Sequence, residues 1–156
     1  MALLRQAAAW AALGCLLSVQ TPVLEVRAQE DRLRTVRTLA CTFTVTARGD
    51  WTDDAAEGAI EGSTLAFRFE SIDTDQASAD VLGRFGSSPV VAQVTGEHLH
   101  FIQVLAEGPL YSTTVFNRET ADGKLLAVHS RHEFRDVQLR GFTSRPEQYY
   151  GECEER

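Results

Sequence analysis

His98 and His100 stand one residue apart, a spacing that on a β-strand sets both imidazoles on one face. Zinc sites built on sheets use such a pair and complete it with further ligands. The remaining histidines are His129 and His132, and spacing alone fixes no carboxylate beside the pair. His98 and His100 are therefore weak metal candidates, and two solvent-facing side chains are the simpler reading. The stretch His129-Ser130-Arg131-His132 is the most polar strand ending in the chain. Ser130 with His132 would need an orienting third group and an oxyanion hole to act as a nucleophile pair, and no motif supplies them. Asp50, Asp53, Asp54 and Glu57 gather around Trp51 without the spacing or central glycine of a calcium loop, which makes them a solvated acidic segment. Phosphate-loop, dinucleotide, His-Glu-X-X-His and Cys-X-X-Cys motifs are absent. No catalytic residue, metal or cofactor is assigned.

The elements that must position these residues are strands. Residues 39–48 alternate Leu39, Cys41, Phe43, Val45 and Ala47 with a threonine-rich outer face, the period of a half-buried strand. Residues 49–62 are acidic, contain glycine and read as a loop. Residues 64–72 give a second strand, and 77–85 a short third one in preference to a helix. Residues 89–95 and 98–105 form a hairpin around Gly96-Glu97, whose glycine-first order suits a type II′ turn. That turn pairs Thr95 with His98, Val94 with Leu99, Gln93 with His100 and Ala92 with Phe101. Strands at 109–117 and 124–132 follow, 134–141 supplies a candidate eighth, and the remainder reads as an irregular tail ending at Cys153. Pairing Asn117 with Lys124 would bring Tyr111 opposite Ser130. Tyr111, Ser130 and His132 would then line one mouth of the fold, the expected ligand-binding position. A slip of one residue would exchange the two faces.

About eight strands joined by short turns predict an all-β fold, an antiparallel up-and-down barrel, with a two-sheet sandwich as the alternative. Closure removes the two exposed edges of an open meander. The cysteines point the same way. Residues 1–28 have the basic start, apolar run and small-residue end of a signal peptide, with a cut before Gln29; the apolar run is short for a membrane span. Removing that segment removes Cys15 and leaves Cys41 and Cys153, an even count that in an oxidising compartment predicts a disulfide. Residues 29–38 are a leader or short helix, with Leu33 and Val36 at helical spacing, and 39–156 form one barrel domain.

The chain has 156 residues, 44% of them hydrophobic, and a net charge of −7, which opposes nucleic acid or an anionic membrane as a partner. Phe69-Glu70-Ser71-Ile72-Asp73, Thr113-Thr114-Val115-Phe116, Ala127-Val128-His129-Ser130-Arg131-His132 and Gln148-Tyr149-Tyr150-Gly151-Glu152-Cys153-Glu154 resemble a group of small exported bacterial proteins. The resemblance implies an exported bacterial protein whose Cys153 end belongs to the domain, and it carries over no functional residue. By fold analogy alone the barrel is similar to the calycins, the lipocalin-like ligand carriers. The expectations are a periplasmic or extracellular barrel that binds a small, partly apolar molecule without catalysis, with no stable membrane insertion after cleavage. A structural or protein-interaction module with a filled barrel is the second expectation, and a hydrolytic or metal-dependent enzyme the third.

Overall fold

The computed structural model describes residues 32–53, 55–84, 86–106, 108–133 and 145–156. Eight strands run in chain order: β1 (Leu39–Thr52), β2 (Ala55–Asp73), β3 (Ser78–Gly83), β4 (Gly86–Thr95), β5 (His98–Val104), β6 (Leu110–Glu119), β7 (Leu125–His132) and β8 (Glu147–Glu155). Each pairs antiparallel with the next, and β8 returns to pair with β1, so the sheet closes into a barrel. Cys41 lies directly opposite Cys153 across the β1–β8 seam and is bonded to it, with Cα atoms 4.0 Å apart. The expected barrel and the expected disulfide are both present.

Short turns follow local chemistry. Gly96 takes φ 55° at the first corner of the β4–β5 turn, and the four pairs expected around it are all found. At the β2–β3 turn the Asp73 carboxylate accepts hydrogen bonds from the backbone N–H groups of Asp75 and Gln76, at 3.0 and 2.9 Å.

Three elements differ from expectation. Residues 49–52 and 55–62 are not a loop: they complete β1 and begin β2, forming a long hairpin arm paired from Gly49↔Gly58 to Thr52↔Ala55. Both faces of this arm meet solvent, so no alternation of apolar residues marks it. The eighth strand is Glu147–Glu155, where a tail was expected; Tyr149, Gly151 and Cys153 face in, while Tyr150, Glu152 and Glu154 face out. The 134–141 strand lies outside the described residues, as do the 1–28 segment and Asp54. Finally, a bulge between Phe43 and Val45 reverses the inward face of β1. Val45, expected inside, is 38% exposed, and Thr46 is buried instead.

Gly151 explains how the seam tolerates that bulge. A Cβ there would fall 2.0 Å from the Thr42 carbonyl oxygen and 2.6 Å from Phe43 Cα, so only glycine lets the two backbones approach.

The core is continuous through the barrel. Residues 32–35 form one helical turn below it, and Leu33 and Val36 project into the lower end, both buried. This turn is tied down by Arg32 ion pairs to Glu119 and Glu155, by the Ile72 N–H donating to the Arg37 carbonyl, and by the Arg37 guanidinium donating to the Ile72 carbonyl. Above it lie Leu39, Leu99, Val115 and Leu125, then a run of rings. Phe101 stacks on Phe69 with centroids 3.6 Å apart, Phe69 meets Phe67 edge-on at 5.4 Å, and Phe67 meets Phe43 at 5.3 Å.

Candidate binding surfaces

The upper end of the barrel is where the aromatic run meets polar residues. His129 on β7 projects inward and is 7% exposed, 5.0 Å from Phe67 and 5.8 Å from Phe43 by ring centroids. Its Nδ1 lies 2.9 Å from Thr113 Oγ1, and its Nε2 accepts from Arg131 Nε at 3.4 Å. An Nε2 that accepts requires the neutral ring with the proton on Nδ1. Burial first, and the Arg131 charge second, hold the imidazole pKa down to about 3.

Above His129, the Arg131 guanidinium lies against two rings, 5.8 Å from the Tyr111 centroid and 5.1 Å from that of Tyr149. Each phenol donates to a carboxylate: Tyr111 to Glu133 at 3.0 Å, and Tyr149 to Glu147. The mouth thus has the parts of a cation site, two aromatic faces and two acids, and the chain's own Arg131 occupies it. On the arm beside it, Arg48 pairs with Glu61, and Arg145 pairs with Asp50 at 2.7 Å. Thr46 Oγ1 is buried there without a hydrogen-bond partner among the described residues.

Of the residues expected to line this mouth, Tyr111 is in place and Ser130 and His132 are not. The hairpin closes lower than expected, where Thr120 N–H donates to the Lys124 carbonyl, and a bulge follows between Val115 and Glu119. Tyr111 therefore pairs with Arg131, and Ser112 with Ser130. The slip sends Ser130 and His132 to the outer face and brings His129 and Arg131 inside. Nothing in the residue pattern places that bulge; the signal available was the higher polarity of the four-residue stretch itself. His129 has both ring nitrogens engaged by described residues, Thr113 and Arg131, so it is not poised to exchange protons near neutral pH.

His98 and His100 share the outer face as expected, with ring centroids 5.9 Å apart. His98 packs edge-on against Phe116, and His100 Nδ1 lies 3.1 Å from Thr114 Oγ1. Burial, then the neighbouring His98, lowers the His100 pKa. Among the described residues, no three His, Cys, Asp or Glu side chains are grouped to hold a metal ion. No described helix is long and apolar enough to cross a membrane.

Outside the barrel, Val45, Phe116, Leu126, Val128 and Tyr150 line a shallow groove of about 560 Å³ across β1, β8, β7 and β6. Arg118 and Glu152 flank it. The arm is the other prominent surface: Ile60 is 80% exposed and Trp51 57% exposed. No protein-family model, curated protein or solved structure matches this chain.

Proposed function

We propose that this chain is an exported, non-catalytic interaction module, the second of the two leading expectations. The observation that carries the reading is that, among the described residues, the chain's own side chains lie along the barrel interior. Leu33 and Val36 stop the lower end, phenylalanines occupy the middle, and Arg131 sits between Tyr111 and Tyr149 at the top. An eight-stranded barrel is just wide enough to be packed in this way. A carrier of a small apolar molecule would need that space for its cargo. Binding is accordingly assigned to the outside, where the arm and the apolar groove are exposed. Export is supported by the pattern of residues 1–28 and by the Cys41–Cys153 bond, which oxidising compartments maintain.

Native mass spectrometry of protein purified from its own cell envelope tests the reading. The expected species are the oxidised chain, alone or in a complex with protein. A small molecule bound at one per chain and released on unfolding would refute it.

A further inference from the structure

His98 and His100 stand side by side on the outside of β5, and the neighbouring strand holds both rings. β6 places Phe116 directly opposite His98 and Thr114 directly opposite His100. The Phe116 ring meets His98 edge-on with centroids 5.2 Å apart, and Thr114 Oγ1 lies 3.1 Å from His100 Nδ1. With Nδ1–H donating to that hydroxyl, His100 Nε2 keeps its lone pair. A hydrogen bond from the second ring nitrogen is how proteins commonly orient a metal-binding imidazole. His98 has no hydrogen-bond partner among the described residues, so its ring nitrogens are uncommitted. Both side chains are partly exposed. Burial, then the neighbouring His98, holds the His100 pKa below the usual histidine value, which favours the neutral ring that a metal needs.

We infer that His98 and His100 form a two-histidine site for one divalent transition-metal ion, copper(II) or zinc(II), with water completing its coordination. Two imidazoles on one tetrahedral ion, each nitrogen about 2.0–2.1 Å from the metal, have centroids about 5 Å apart. The His98 and His100 centroids are 5.9 Å apart with planes inclined by 35°, so a modest side-chain rotation brings both to one ion. Imidazole suits both metals, and a given site binds copper(II) more tightly than zinc(II). The residues directly opposite the pair are Gln93 and Thr95 on β4 and Thr114 and Phe116 on β6, none of them charged. The chain as a whole is negative, which draws cations toward it. Among the described residues no third His, Cys, Asp or Glu joins the pair, so the site is open and exchangeable, unlike a closed structural centre. The inference goes beyond the interaction-module reading and does not depend on it, because the pair lies outside the barrel whatever fills the interior.

Calorimetric titration of the oxidised protein, made without a histidine tag, with copper(II) sulfate and separately with zinc(II) sulfate reads the site. One ion per chain is expected, copper binding more tightly than zinc. The electron paramagnetic resonance spectrum of the copper form should show coupling to two nitrogens. His98→Gln and His100→Gln should each weaken copper binding by more than about tenfold, since even the hydrogen-bond partners of metal ligands are worth that much. His132→Gln, at the far end of β7 opposite Leu110, should leave it unchanged. Circular dichroism should be the same for all three variants and the wild type. A wild-type protein without saturable copper binding overturns the inference, as does binding that survives His98→Gln and His100→Gln or falls equally with His132→Gln. A copper spectrum showing oxygen ligands alone, which needs no variant, would overturn it too. None of these results bears on the interaction-module reading, which the stoichiometric small molecule named above would refute instead.

Discussion

Reducing the Cys41–Cys153 bond should weaken the barrel strongly without abolishing it. The bond joins residues 112 positions apart, so it removes most of the loop entropy available to the unfolded chain. The chain-entropy relation values a loop of that length at about 5 kcal/mol, an upper figure because residual structure in the unfolded chain reduces it. The reduced protein keeps the β1–β8 ladder from Leu39↔Glu155 to Arg48↔Glu147 and the packed core, so it should still fold. For a domain of this size the loss corresponds to a melting temperature lower by about 15 °C. The assay is urea unfolding of the oxidised protein beside protein reduced in denaturant and refolded without oxidant. The midpoint should fall, and the dependence on urea should steepen, because the unlinked chain exposes more surface. Equal midpoints would refute the reasoning. So would two alkylatable thiols in the native protein.

Other consequences of the packing can be checked by the same unfolding assay. Gly151→Ala forces a Cβ against the Thr42 carbonyl, and because backbone must move it should cost about 3 kcal/mol or more. Leu33→Ala opens the stopper at the lower end; the single helical turn can partly settle into the gap, so about 2–3 kcal/mol is expected, and a cost below about 0.5 kcal/mol would place that turn off the barrel. Acid should destabilise the fold through His129. Its folded pKa of about 3 lies below the ordinary value, so the unfolded chain takes up the proton first as pH falls. That contribution is intact above about pH 6.5 and is lost progressively down to about pH 3, on the order of 5 kcal/mol in all. His129→Gln should flatten this part of the pH profile, and an unchanged slope would remove His129 as its cause.

Where side chains are buried on one face, the amino-acid order was enough to locate strands. The Gly96-Glu97 hairpin shows this best, since its turn type and its apolar face both demand one register. The arm was illegible for the opposite reason: Ala55 to Gly62 bury nothing, and backbone pairing and the Arg48–Glu61 contact help to hold them extended. The mouth was half legible. Tyr111 follows from the β6 alternation, but the Val115–Glu119 bulge moves β7 by one residue and substitutes His129 and Arg131 for Ser130 and His132. The β1 bulge at Phe43/Val45 has the same effect on Val45 and Thr46. In β8, Gly151 and the charged neighbours of Cys153 masked an alternation that becomes plain once the disulfide anchors it.

The self-filled barrel is tested most directly by following the His129 ring with nuclear magnetic resonance as pH is lowered. A dry interior, with Arg131 above the ring and phenylalanines below it, predicts ring signals that stay constant from pH 8 to about 4.5. A His129 that titrates near the ordinary pKa of about 6.5 would mean that water reaches the barrel's centre, and the interior would then be available for a ligand.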